Sequence, residues 1–145
     1  PPDGHADLFT MAPRTAEGVH TAARVLAEAY QEFGFPPQTS PFSTPQMYYS
    51  RAMVVAVLIP TWRDPAKNAT TRALYRRCLD KIAEQGMGTY RTNIEFQEHA
   101  VSKYSFNDNA LLKYQEKLKD SIDPNGIISP GRYGIWPANM RNNRG

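Results

Sequence analysis

The sequence predicts an α+β fold, a mixed or antiparallel sheet with helices on one face followed by a small helical subdomain. Three observations predict it. Strand-like and helix-like segments alternate from residue 6 to residue 85, the order expected of a layered α+β unit. Met53-Val54-Val55-Ala56-Val57-Leu58-Ile59 is a continuous apolar run of strand length, as in a strand covered on both faces. Beyond residue 86 the pattern becomes helical and then irregular. That change divides the chain into residues 1–86 and 87–145.

The elements follow in order. Pro1 to Gly4 is a turn, and Ala6–Ala12 a short strand ended by Pro13. Thr15 can cap a helix, Glu17 suits its first turn, and Val19, Ala22, Ala23, Leu26, Ala29, Tyr30 and Phe33 recur at helical spacing. Gly34 and Pro36-Pro37 end that helix, which spans Ala16–Phe33. His20 lies on it as a surface or boundary residue. Pro36, Pro37, Pro41 and Pro45 make residues 36–46 extended or looped. Met47–Ile59 reads as one long strand stopped by Pro60. A second helix begins near Pro65 or Asn68 and runs to Gln85, burying Ala73, Leu74, Cys78, Leu79, Ile82 and Ala83. Asn68-Ala69-Thr70 is read as an N-cap rather than a glycosylation site. Ile94–Tyr104 is a short helix. Asn107 or Asp108 caps another, carrying Ala110, Leu111, Leu112, Tyr114, Leu118 and Ile122, with Lys113, Lys117 and Lys119 toward its positive-favouring end. Asp123-Pro124-Asn125-Gly126 is a turn, Ile127–Pro137 has no regular period, and residues 138–145 form a polar, frayed end.

Composition narrows the function classes. The 145 residues, 41% hydrophobic and 21% charged, suit a globular domain rather than a disordered one. Net charge is +3, and neither Arg76-Arg77 nor the Arg141…Arg144 tail makes a nucleic-acid footprint, so no nucleic-acid partner is expected. The lone Cys78 excludes an internal disulfide and falls on an apolar helix stripe, as an inert thiol. No apolar run approaches the roughly 20 residues of a bilayer span, and no signal peptide is visible. The expectation is a cytoplasmic protein without a membrane partner, with peroxisomal and periplasmic settings left open. The chain opens without an initiating Met and is expected to be cut from something longer.

Chemistry concentrates in Gly86-Met87-Gly88-Thr89-Tyr90-Arg91-Thr92. A phenolic hydroxyl and a fixed guanidinium fork just after a glycine-rich turn suit an anionic oxygen. The same residues also suit a Tyr packed on a helix beside an Arg paired with a surface acid. Other schemes lack their residues: there is no paired cysteine, His-x-x-x-His or clustered carboxylate for a metal, and no G-x-S-x-G, P-loop or G-x-G-x-x-G.

Four segments in register carry a resemblance. Gly88-Thr89-Tyr90-Arg91-Thr92, Tyr104-Ser105-Phe106-Asn107-Asp108-Asn109, Leu118 through Arg132, and Gly131-Arg132-Tyr133-Gly134-Ile135-Trp136-Pro137 together resemble the C-terminal part of the vanillyl-alcohol oxidase / p-cresol methylhydroxylase group of FAD-linked oxidases. The resemblance implies a longer flavoenzyme with an FAD-binding domain and a cap over the flavin. Residues 1–86 would be the later part of the cap, and residues 87–145 the helical subdomain that rejoins the FAD domain. It further implies FAD as cofactor, a para-substituted phenol as substrate, a homo-oligomer, and Tyr90 and Arg91 as the pair that binds the phenolic oxygen. Hydride would leave the benzylic carbon for the flavin, giving a quinone methide. Many relatives attach FAD through a His just before Leu-Phe. Here Asp7 precedes Leu8-Phe9 and His5 lies two residues earlier, so covalent attachment is left open, with His5 the only candidate. The paired histidines some relatives carry on the long strand are replaced here by the neighbourhood of Tyr48, Tyr49 and Arg51. Arg132 is a candidate charge partner for the flavin pyrimidine edge. The alternatives are a non-catalytic binding or dimerisation module, and a flavin-dependent oxidase of hydroxy acids or sugars.

Overall fold

Alternation along two antiparallel strands sets the architecture. The computed structural model describes residues 2–35, 46–48 and 51–143. Strand β1 (Gly4–Pro13) pairs over its whole length with β3 (Ala52–Thr61), Gly4 opposite Thr61 and Pro13 opposite Ala52. Leu8, Thr10 and Ala12 of β1 and Val55, Val57 and Ile59 of β3 are buried, whereas His5, Asp7, Phe9 and Met11 turn to the other face with Leu58. Two short strands complete an antiparallel sheet of order β2-β3-β1-β4: β2 (Gln46–Tyr48) on β3, and β4 (Gly88–Thr89) on β1. This is the α+β layer the sequence predicts, with every strand pair antiparallel.

One expectation changes. Met47–Ile59 is not one strand. Gln46–Tyr48 pair back on Val54–Ala52, so the chain reverses between residues 48 and 52. The reason lies in β1, which ends at Pro13 opposite Ala52, so residues before Ala52 have no β1 partner and fold onto β3 instead. Pro60 does not stop β3 either; it sits opposite His5, on a stretch of β3 beyond the reach of β2, where a missing N–H is tolerated. Of the expected proline-rich segment 36–46, Gln46 begins β2, and residues 36–45 lie outside the described residues, as does Tyr49.

Helices α1 (Ala16–Glu32) and α2 (Pro65–Glu84) cover the buried face of the sheet. Thr15 caps α1, its side chain accepting from the Gly18 N–H at 3.0 Å, and Gly34 ends it at φ 71°. Asp64 caps α2, accepting from the Ala66 N–H at 2.9 Å, with Pro65 in the first turn. Asn68, expected as a cap, lies inside α2 and instead accepts from the Trp62 N–H at 2.9 Å and donates to the Trp62 carbonyl. Between the helices and the sheet lie Leu26, Ala29, Leu74, Tyr75, Cys78, Leu79 and Ile82, each at most 2% exposed. Burying each large aliphatic side chain is worth about 1.5–3 kcal/mol. Burial pushes the Cys78 thiol up to about 12. On the outer side Arg77 and Lys81 of α2 hold Glu32 and Glu28 of α1 at 2.7–3.1 Å.

The chain divides into two compact units, Pro1–Asn93 and Ile94–Gly145. The division falls seven residues past the break at 86 read from the sequence, because Gly88 and Thr89 pair with β1 and stay with the sheet. The second unit holds a 3₁₀ turn (Ile94–Phe96), α3 (Gln97–Val101) and α4 (Phe106–Ile122). Neither Asn107 nor Asp108 caps α4. With Asn109 they form a left-handed first turn at φ 49°, 54° and 59°, a conformation that Asn and Asp tolerate better than other side chains. One contact here was not foreseen, and one further expectation fails. Lys119 is 9% exposed, donating to the Ile128 carbonyl and pairing with Asp123 at 2.6 Å, and Asp123 accepts from the Ile127 and Ile128 N–H groups at 2.8 and 2.9 Å. The polar end is also fastened as far as Asn143. Ala138–Asn143 is a 3₁₀ turn whose Arg141 binds Asp120 at 2.7 Å and the Glu116 carbonyl at 3.2 Å.

Candidate functional site

The open face of β1 and the segment after β4 build one cavity. Residues i and i+2 of a strand share a face, so His5, Asp7 and Phe9 stand in a row. Tyr90 continues the β4 pairing by donating its N–H to the Phe9 carbonyl at 2.9 Å, which brings Arg91 alongside. The resulting cavity, about 280 Å³, is lined by His5, Ala6, Asp7, Phe9, Arg91, Thr92 and Asn93.

Aromatic contacts fix the cation. The Arg91 guanidinium carbon lies 4.8 Å from the centroid of Phe9 and 5.8 Å from that of Tyr90. Tyr90 meets Phe9 edge-on, with centroids 6.5 Å apart and planes at 88°. Stacking on ring faces holds a guanidinium by electrostatic attraction while leaving its N–H edge available. Tyr90 itself is 44% exposed and stands beside the cavity rather than in its lining.

Across the cavity wall is an opposite charge. His5 Nε2 lies 3.4 Å from Asp7 Oδ1. That oxygen is shielded from solvent and accepts no hydrogen bond, although the Asp7 side chain as a whole is partly exposed. A cavity with a guanidinium, a carboxylate and an imidazole around an aromatic floor can orient a small aromatic molecule by its two polar ends.

The two walls are joined by a residue that sequence reasoning missed. The fully buried Tyr75 hydroxyl donates to the Asp7 carbonyl at 2.9 Å and accepts from the Asn93 N–H at 3.3 Å, so one side chain of α2 ties both cavity-lining segments together. Burial pushes its phenol up to about 12, which keeps the donor protonated. A signal was present: Tyr75 follows Leu74 on the apolar stripe of α2, where a buried hydroxyl needs a partner.

Of the sequence-predicted site residues, His5 and Arg91 meet in one cavity and Tyr90 flanks it. Arg132 belongs to the second unit. It lies over the Tyr133 ring at 5.6 Å and lines another cavity, of about 360 Å³, with Glu95, Gln97, Glu98 and Trp136. There Gln97 accepts from the Tyr133 N–H at 3.0 Å and Glu98 from the Trp136 indole at 2.5 Å. Among the described residues no group of three His, Cys, Asp or Glu is placed to hold a metal ion, and no helix is long and apolar enough to cross a membrane.

No protein-family profile matches the chain. Known proteins do. The flavoprotein subunit of 4-cresol dehydrogenase (hydroxylating) from Pseudomonas putida is 31% identical over 72 residues, half of this chain and 13% of the relative. The 1'-carboxy-chondrochloren decarboxylase of Chondromyces crocatus is 30% identical over 134 residues, 90% of this chain and 23% of the relative. Among solved structures, 4-ethylphenol oxidase from Gulosibacter chungangensis, in complex with isoeugenol, superposes with a TM-score of 0.77 at 26% identity, covering 95% of this chain and 26% of its own. Substrate-bound p-cresol methylhydroxylase has the same fold, with a TM-score of 0.71 at 22% identity over 92% of this chain and 24% of its own. The chain thus spans about a quarter or less of each of these proteins. By sequence and fold it is related to the C-terminal part of the vanillyl-alcohol oxidase / p-cresol methylhydroxylase-type FAD-linked oxidases.

Proposed function

We propose that this chain works within a longer flavoprotein that oxidises para-substituted phenols, with Tyr90 and Arg91 holding the phenolic oxygen. The observation that carries the reading is the Arg91 guanidinium, stacked over Phe9 at 4.8 Å and lining the cavity that Phe9 also lines. A phenol ordinarily ionises near pH 10. A guanidinium and a hydroxyl donor beside it favour the phenolate. The phenolate pushes electron density through the ring to the para carbon, which weakens the benzylic C–H bond toward hydride loss. The organic product of that loss is a quinone methide, to which water adds at the benzylic carbon. Bound FAD supplies the two-electron acceptor for the hydride. Residues 1–86 serve as the later part of the cap, and residues 87–145 as the subdomain returning to the FAD domain, in a homo-oligomeric enzyme.

The chain's own residues suit only part of that cofactor. Phe9 and the open sheet face with Met11 and Leu58 suit the face of a ring system. Among the described residues the N-termini of α1 and α2 are each capped from within, Thr15 accepting from the Gly18 N–H and Asp64 from the Ala66 N–H. We assign the diphosphate end of FAD to the FAD-binding domain of the longer protein. His5 is the candidate for a covalent link, and Arg132 for the flavin's pyrimidine edge.

The test uses the full-length protein. Arg91→Ala should lower turnover of 4-ethylphenol by about 10²–10³-fold, the range for removing one preorganised charge-stabilising group, and Tyr90→Phe by somewhat less. Unchanged turnover in both variants would remove the assignment. Absence of flavin from the purified full-length protein would favour the module reading.

A further inference from the structure

The ladder between β1 and β4 breaks where the cavity opens, and a side chain stands in the break. Thr10 pairs with Thr89, and Tyr90 donates its N–H to the Phe9 carbonyl at 2.9 Å. Hydrogen-bonded pairs alternate along an antiparallel ladder, so the same register continued would put Thr92 opposite Asp7, its N–H on the Asp7 carbonyl. That carbonyl is instead taken by the Tyr75 hydroxyl at 2.9 Å. The chain past Thr92 returns to the same hydroxyl through the Asn93 N–H at 3.3 Å. One hydroxyl thus replaces a direct strand-to-strand bond, donating to one wall and accepting from the other. The cavity lies between those walls, with Asp7 on one side and Arg91, Thr92 and Asn93 on the other. Arg91 sits between the two anchors of its segment, Tyr90 on Phe9 and Asn93 on Tyr75. Tyr75 is a firm post, fully buried on α2 among residues packed under the sheet. Burial pushes its phenol up to about 12, so it keeps the proton it donates.

We propose that Tyr75 is a positioning residue for Arg91: its hydroxyl spaces the Arg91 segment from β1 and so sets how strongly the cavity prefers a phenolate to a neutral phenol. The inference rests on the phenol reading above. Tyr75 itself is fully buried and lies outside the cavity lining, so it acts only through the segment it holds. The pull of a guanidinium on an anion depends on distance and on where its N–H fork points. Without the hydroxyl, the segment closes on β1 through a direct backbone bond or swings free of it, and either displaces Arg91. Asp7 and His5, the other titratable groups lining the cavity, stay on the β1–β3 ladder when the hydroxyl is removed, so the change falls on Arg91.

Equilibrium binding to the full-length, flavin-loaded protein tests this without turnover. The probes are 4-nitrophenol, whose anion is followed by difference absorbance, and nitrobenzene, the same ring without the hydroxyl; neither has a benzylic hydrogen to lose. Bound to the unaltered protein, 4-nitrophenol should ionise at a lower pH than it does in water. Tyr75→Phe should raise that pH by about one unit, about a tenfold loss of phenolate preference, while nitrobenzene affinity changes by less than about twofold. Arg91→Ala should raise it further. Adding Tyr75→Phe to Arg91→Ala should then change nothing more, as expected of a residue that acts through another. Hydrogen exchange of the unaltered protein gives a reading that needs no variant. The 4-nitrophenol anion should slow exchange at the Asn93 amide more than nitrobenzene does, because an anchor that favours the bound anion is favoured by it in return. If Tyr75→Phe leaves the ionisation of bound 4-nitrophenol unchanged, shifts it as much in the Arg91→Ala background, or weakens both probes alike, the inference fails while the phenol reading stands. It fails likewise if Tyr75→Phe does not fold and the two probes protect Asn93 equally. If Arg91→Ala leaves that ionisation unchanged, both fail.

Discussion

Helix α2 of the first unit and helix α4 of the second carry similar apolar stripes and treat them oppositely. In α2, Leu74, Cys78, Leu79 and Ile82 are at most 2% exposed beneath the sheet. In α4, Leu111, Tyr114, Leu118 and Ile122, spaced 3, 4 and 4 residues apart, are 47–66% exposed. The side of α4 that is covered is its polar one, where Glu116, Lys119 and Asp120 meet the returning chain. A helix buries whichever side its neighbour can satisfy. The sheet offers apolar surface, whereas the C-terminal strip offers backbone carbonyls, N–H groups and Arg141. The first unit is consequently held by packed volume and the second by backbone conformation and charge.

Four experiments on the full-length protein, read by segment-resolved hydrogen exchange and urea unfolding, would break or sharpen this contrast. The largest effect is expected from Tyr75→Ala, which empties a fully buried site and removes both ties to the cavity walls. It should cost about 3–5 kcal/mol in the first unit, and Tyr75→Phe about 1–3 kcal/mol for the polar groups it leaves unpaired. Next is Gly131→Ala. At φ 80° a new Cβ would come within 2.4 Å of the Trp136 ring, and a cost of about 1–3 kcal/mol should appear as faster exchange over residues 97–136 with β1 and β3 unchanged. Spread of that effect into the sheet would break the contrast.

Acid should act on both units. Hydrogen bonding from Arg77 first, then Lys81, lowers Glu32 to about 2, and hydrogen bonding from Lys119 holds Asp123 below its ordinary 3.8. A depressed carboxyl stabilises the fold above its unfolded value and loses that contribution as pH falls through the folded one. Protection of the α1–α2 contact should therefore decline between pH 4.5 and about 2, and Lys119→Met should shrink the acid response of the second unit alone. The smallest effect is expected from Arg24→Ala. Its Arg24–Glu28 pair is exposed on α1, so unfolding should not change measurably. A large loss there would mean that surface charge matters to the first unit as much as buried charge does to the second.

The sequence made the first unit readable because its signals are local. Thr15, Gly34 and the 3.6-residue repeat mark α1 without reference to anything distant. The return of β2 was hidden, since it depends on where β1 runs out, a fact about another strand. Lys119 was legible only as charge near a helix end, because helical periodicity does not reveal that residues 127 and 128 fold back over it. At the site, residue type alone suggested Arg91 as an anion holder, but its clamp on Phe9 is a contact between β1 and the segment after β4. Tyr75 escaped notice because its partners, Asp7 and Asn93, are 68 and 18 residues away.

Cys78 gives the first unit a built-in clock. It is the only thiol in the 145 residues, fully buried, with its ionisation pushed up to about 12. Thiol reagents attack the ionised sulfur and must reach it. Modification at this position therefore waits for α2 to lift from the sheet. With closing faster than reaction, the labelling rate measures how often that happens, and with closing slower, how fast. Added phenol that bridges β1 and Arg91 should slow the reaction. Ligand binding at one face of the sheet would then be timed by a chemical event on the other.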